Sequence, residues 1–288
     1  MATMDEGVFA FESDDDDDYQ TSNGKYGDET ENKPWERRNV RQVNPEERTF
    51  SEIPADQFLS KTSLFSGPTV KIFISTQGGS KQQGFNLSKA LLCARSTFFD
   101  RAFNGSFKEA ASQEMHLSET PLSIFQLVVQ FLYTNSFVFP TSVTDANEKL
   151  NLYLCFFKTC HQLHITGLAV IISRFKKLLK WRSERGEFPH RFHMEHAMDL
   201  PVGHEARRSA VAACVIPYAY SMTKSSTCYG RALFHLESLV EESSDFAADL
   251  LRAYTKAVRG SLGAHTILDP LTMTAYRITT GAEAAWDE

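Results

Sequence analysis

The sequence is short of the features that would make it secreted, membrane-spanning or catalytic. Its five cysteines, Cys93, Cys155, Cys160, Cys214 and Cys228, are odd in number and show no close, regular pairing. That fits free thiols in a reducing compartment better than a disulfide framework. The opening MATMDEGVFAFESDDDDDY lacks the basic start and apolar run of a secretory leader. Purely apolar runs stop after a handful of residues, as in GLAVII, whereas a spanning helix needs about 18. The expectation is an intracellular, soluble protein with no membrane partner.

Basic surface is scarce too. The net charge of −6 is unevenly placed: residues 1–60 hold 16 acidic residues against six Lys and Arg, a balance of −10, and the remainder carries +4. An acidic segment on a mildly basic body offers no broad cationic surface for duplex DNA, so no nucleic-acid partner is expected. Residues 1–60 scatter their few apolar side chains without a period and are expected to form a disordered acidic tail. The run Asp14–Asp18 lacks the spaced ligands and turn glycine of a calcium loop.

Chemistry-bearing constellations are also missing. Gly78, Gly79, Ser80 and Lys81 superficially resemble a phosphate loop, but its full glycine spacing and following helix are absent. Cys155, Cys160, His161 and His164 are the most suggestive metal-type group. Structural zinc sites bring short ligand pairs together across a turn, whereas these four fall in one apolar helical stretch, and Cys160 reads as a small core residue. His190, His193, His196 and His204 form a looser group that reads as surface histidines, without the glutamate spacing of a zinc protease. Cys93 stands near Arg95 but is flanked by apolar Leu92 and Ala94, which argues for burial rather than activation. No nucleophile elbow or dinucleotide fingerprint occurs. The chain is therefore expected to have no catalytic residues, no cofactor and no metal.

What is abundant is phenylalanine, 22 in all. Order is expected to begin near Leu64. Val70, Ile72 and Ile74 alternate with Lys71, Phe73 and Ser75 at the period of a strand, TQGGSKQQG reads as a hairpin loop, and FNL as the returning strand. The next stretch, ALLCARSTFFDRAFNGSFKEA at residues 90–110, holds four phenylalanines. It reads as two short helices, capped by Ser88 and Ser96, the second stopped at Asn104 and Gly105. Phe99 and Phe103 share one face, with Phe98 and Ala102 in the adjacent row, so most of these aromatics read as core.

Further on, EMHLS predicts a third strand with Met115 and Leu117 inward. Thr120 and Pro121 predict the capped start of a helix, PLSIFQLVVQFLYT, apolar nearly all round and hence central. Asp145 and Glu148 have capping-box spacing before KLNLYLCFFKTCHQLHI. GLAVIISRFKKLLKW places Leu168, Ile171, Ile172, Phe175, Leu178 and Leu179 opposite Arg174, Lys176, Lys177 and Lys180. That pattern reads as a packing helix with a solvated basic face, in preference to a membrane-surface or calmodulin-target helix. After Gly186 and Pro189 a second helical block follows, ending near Gly260, and the chain from about Thr266 is expected to be loosely held.

The order strand, hairpin strand, two short helices, strand, central helix resembles a BTB/POZ domain. Residues 66–139 carry the resemblance in KALLCARSTFF, FNGSFKEA, EMHL and FQLVVQFLYT, and their wording is most similar to the large group of fungal BTB proteins. The implied fold class is α+β, a small sheet flanked by helices, followed by an all-helical region. The expected organisation is an acidic tail at 1–60, a BTB/POZ domain at 61–140, a helical extension at 141–182, a helical region at 183–262 and a loosely ordered tail at 263–288.

The resemblance implies a non-enzymatic interaction module. Many relatives are adaptors linking a substrate protein to a cullin scaffold in a ubiquitin ligase, and others homodimerise in transcription regulators or structural assemblies. Cullin-binding members carry a hydrophobic-x-Glu motif after the second helix, and Phe107, Lys108 and Glu109 occupy that place here. An apolar anchor with a neighbouring carboxylate suits such docking, the first for affinity and the second for register. Two departures stand out. Thr69 replaces the usual Asp of the first strand, a position that contributes to the subunit interface in many family dimers, and Ser88 replaces the usual His.

Overall fold

The alternation at Val70, Ile72 and Ile74 becomes strand β1 (Thr69–Ser75), whose inward residues are buried. The computed structural model describes residues 65, 67–75, 82–222, 234–261 and 266–277. The expectations for the acidic segment 1–60, for Gly78, Gly79, Ser80 and Lys81, and for Cys228 lie outside the described residues. Strand β2 (Gln82–Ser88) returns antiparallel to β1, with Thr69 opposite Ser88 and Phe73 opposite Gly84. On the other edge of β1 lies β3 (Glu114–Leu117), parallel to it, giving the order β2-β1-β3.

The helices between β2 and β3 are α1 (Lys89–Arg95), α2 (Thr97–Asn104) and the short α3 (Lys108–Ser112). Behind them α4 (Leu122–Thr134) buries six residues, among them Phe125 and Phe131, as its almost wholly apolar surface requires. Its start departs from expectation. Pro121 occupies the cap position and no side chain caps the helix, because the helical turn begins at Leu122, one residue beyond the reach expected of Thr120.

Next, α5 (Ala146–Gln162) is capped by Asp145, whose carboxylate accepts from the Glu148 amide at 2.9 Å. Then α6 (Ala169–Ser183) buries Ile171, Ile172, Phe175 and Leu179 and leaves Arg174, Lys177 and Lys180 exposed. The aromatic rings of Phe131, Phe137, Tyr153, Phe156, Phe157 and Phe175 meet edge-on or stacked where α4, α5 and α6 converge.

The second helical block comprises α7 (Arg191–Met198), α8 (Glu205–Ala212), α9 (Val215–Met222), α10 (Glu237–Glu242) and α11 (Ser244–Arg259). Its buried residues belong to the same hydrophobic cluster as those of the sheet, without a break between them. One polar tie within the block is Arg207, itself buried. Its guanidinium donates to Asp249 at 2.7 Å and to the carbonyls of Leu200 and Met198 at 2.9 and 3.2 Å.

The sequence from Thr266, expected to be loosely held, contains a hairpin instead: β4 (Thr266–Leu268) pairs antiparallel with β5 (Ala275–Arg277). Asp269 fixes its turn. The buried carboxylate accepts from the Leu271 amide and the Thr272 hydroxyl, both at 2.8 Å, and meets the Ser183 hydroxyl of α6 at 3.5 Å. Composition alone hides this, because the anchor is one buried acid reaching a helix 86 residues earlier.

Candidate protein-docking site

The site is built outward from two serine caps. Ser88 accepts from the Leu91 amide at 3.4 Å and Ser96 from the Phe99 amide at 3.1 Å, which fixes where α1 and α2 begin. With those starts set, Phe99 and Phe103 turn inward, buried and stacked with their centroids 6.1 Å apart. The carbonyl of Phe103, left over at the end of α2, accepts from Lys89 Nζ at 2.9 Å and Gln113 Nε2 at 3.4 Å. Helix α2 then stops at Gly105, whose amide donates to the Arg101 carbonyl at 3.0 Å. A Cβ at this glycine would lie 2.2 Å from that same oxygen, so no other residue fits the turn unmoved.

This turn delivers Phe107 to the surface. Its backbone is extended at φ −77°, and it stands just ahead of α3, its carbonyl accepting from the Ala110 amide at 3.0 Å. The side chain is 60 % exposed, whereas Phe99 and Phe103 are sealed in the core. Lys108 opens α3, a helix with no buried residue. Glu109 follows, its carbonyl accepting from the Gln113 amide at 2.8 Å.

Phe107 and Glu109 share a cavity of about 280 Å³ whose other walls include Phe98, Ala102 and Met115, with Arg101 and His164 at its polar edge. Lys108 is not among the lining residues. Apolar walls with one cation and one carboxylate at the rim can seat a partner's apolar side chain and fix its register through charge. The shared row of Phe98 and Ala102 is legible from their spacing of four, whereas Arg101, expected to fall toward the other side of the helix with Asp100 and Asn104, lies at the cavity. The cavity itself is not legible, because Met115 and His164 come from β3 and from the turn after α5.

The four described thiols are all raised by burial, which disfavours the thiolate. Burial pushes the Cys93 thiol up, and the nearby Asp100 charge adds to it, so Arg95 does not generate a thiolate. Cys160 is fully buried and its thiol is raised further by the same cause. His164 lies exposed with a left-handed backbone at φ 50°, whereas Cys160 is buried. Among the described residues no three His, Cys, Asp or Glu side chains are grouped to hold a metal ion.

One of the expected surface histidines is not at the surface. His193 is fully buried, its Nδ1 accepting from the His190 amide at 3.0 Å and its Nε2 facing the Asn147 carbonyl at 3.0 Å. Burial, with the Arg182 charge nearby, holds its pKa down to about 4.

A small mixed sheet, paired short helices and an apolar central helix thus carry an exposed aromatic at the helix stop. The family model for the BTB/POZ domain matches residues 70–177. The match begins in β1 and ends within α6, so this BTB/POZ domain includes the three-stranded sheet, the candidate site and the aromatic core. The helices from α7 onward lie beyond it. BTB/POZ domains are generally interaction modules, which makes protein partners the relevant ligands. No curated protein matches the chain. No helix among the described residues is long and apolar enough to cross a membrane.

Proposed function

We propose that this protein is a non-enzymatic BTB-type adaptor of the fungal kind, in which Phe107, Lys108 and Glu109 dock on a cullin scaffold and so link a substrate protein to a cullin-RING ubiquitin ligase. The observation that carries the reading is Phe107 itself, a large apolar side chain held 60 % exposed beside an open cavity that also includes Glu109. A phenylalanine that only covered the central helix would be buried. In this reading residues 61–140 with the extension 141–182 make the scaffold contact. The substrate is taken by the helical region 183–262 or by the acidic segment 1–60, and residues 263–288 are a terminal segment.

The test is binding of the full chain to purified cullin N-terminal domains by calorimetry. One cullin should bind, and the double variant Phe107→Ala, Glu109→Lys should weaken it by more than about 30-fold, the loss expected for an interface anchor. Equal binding by parent and variant, or no binding to any cullin, overturns the adaptor reading. A light-scattering mass that rises with concentration while no cullin binds would point to the alternative, a homo-oligomerising regulatory or structural protein.

A further inference from the structure

Helix α6 carries one face that the fold does not use. Its inward side is filled by Ile171, Ile172, Phe175 and Leu179, all buried. On the outward side Val170, Arg174, Lys177 and Trp181 recur at spacings of four, three and four, which aligns them in a single stripe about 16 Å long. Val170 and Trp181 are each 39 % exposed. Arg185 lies over the Trp181 ring at 4.0 Å with Nη1 donating to the Trp181 carbonyl at 3.4 Å, which leaves Nε and Nη2 to donate outward. The stripe extends sideways, because Arg174 reaches the Phe137 carbonyl at 3.4 Å and the neighbouring Val138 is 58 % exposed.

The charges on this face are poorly neutralised. Lys177 makes no ion pair or hydrogen bond with any described residue. Lys180 faces Glu184 only at 3.9 Å, with both side chains half exposed. Arg174, Lys177, Lys180 and Arg185 therefore outnumber the single carboxylate of Glu184 along the helix. Apolar side chains sit between the cations rather than on a separate face.

We propose that this face of α6 is a docking surface for an acidic peptide segment of a partner protein, one that interleaves carboxylates with an aliphatic or aromatic side chain. Carboxylates meet Arg174, Lys177 and Arg185, and the apolar side chain rests on Trp181. Charge complementarity sets the sign of the partner, and the spacing of cations around exposed apolar atoms sets its alternation. A lipid surface fits poorly, because an interfacial helix must sink its apolar face into the bilayer and that of α6 is already spent on the core. A nucleic-acid strand fits poorly as well, since one exposed ring offers no succession of stacking platforms.

The experiment uses the full chain and a short fluorescein-labelled peptide of alternating Asp, Glu and Phe, read by fluorescence anisotropy. Binding is expected, weakening several-fold as ionic strength rises from about 0.05 to about 0.5 M. The exposed pair Arg174→Glu, Lys177→Glu should lower affinity about tenfold or more, and Trp181→Ala several-fold. Lys256→Glu with Arg259→Glu changes the net charge equally on α11 and should leave binding intact. Thermal melts confirm that each variant is folded, and the α6 charge reversal carries the test if Trp181→Ala is not. Equal loss from the α11 pair means non-specific attraction and overturns the proposal. So does failure of the peptide to bind, whether or not oligo(dT) or phosphatidylcholine vesicles containing phosphatidylserine bind in its place.

Discussion

Phe107 is exposed because Gly105 lets the chain turn. At φ −85° and ψ −153° the glycine leaves α2 while its amide still closes onto Arg101, and the space a side chain would need is taken by the Arg101 carbonyl. Gly105→Ala should therefore force the backbone apart at the helix stop, costing about 1–3 kcal/mol of stability, as overpacking typically does. Urea denaturation measures the cost. The same variant should weaken partner binding even though Phe107 is untouched, because the ring is displaced from the cavity rim. Residues of this kind were legible in the sequence where a short-range rule governs them. Ser88, Ser96 and Asp145 cap because a side-chain oxygen at a fixed offset meets a free amide. Thr120 caps nothing, because the helix begins one residue farther on, at Leu122, and Pro121 takes the cap position.

Among the elements, α7 shows what spacing cannot reveal. His193 looks like one of four scattered histidines, yet it pins the start of α7 to the start of α5 through Asn147. Both ring nitrogens are committed, one accepting from the His190 amide and the other donating to a carbonyl, so the neutral ring is the only form that satisfies them. The charged groups that bear on it, Arg182, His190 and His196, all oppose a proton there. The unfolded chain protonates this side chain near pH 6.5, whereas the fold delays protonation to about pH 4.

Between those values the unfolded state binds the extra proton. Stability from this group is then complete above pH 6.5 and lost as the pH falls toward 4, by roughly 3 kcal/mol in total. Guanidinium unfolding of the parent and of His193→Gln at stepped pH should give curves whose difference changes over that window and is flat above it. A parallel pair would show that the ring titrates freely. The strands and helices around α7 were legible from their periods, but which histidine is enclosed depends on a contact across 46 residues that no period encodes.

At the scale of the molecule, the buried cluster runs from the sheet of the BTB/POZ domain through α7, α8 and α11 to the terminal hairpin. Amphipathic spacing shows that each of these helices has an apolar side, but not which neighbour it meets. The continuity of the core is therefore a property of the folded chain rather than of any segment. It has a measurable consequence at Arg207. The guanidinium is 2 % exposed and joins α8 to α11 through Asp249 and to the turn after α7 through two carbonyls. Arg207→Ala would strand the Leu200 and Met198 carbonyls and leave Asp249 to the exposed Arg252 alone, at a cost of about 1–3 kcal/mol for each unmet buried acceptor. If the helical region were an independent unit, that loss would melt it alone, and tryptophan emission and far-UV circular dichroism would separate along a urea titration. With one continuous core the two signals should stay superimposed while their common midpoint falls, because the BTB/POZ domain cannot keep its buried faces once α7 to α11 have left them.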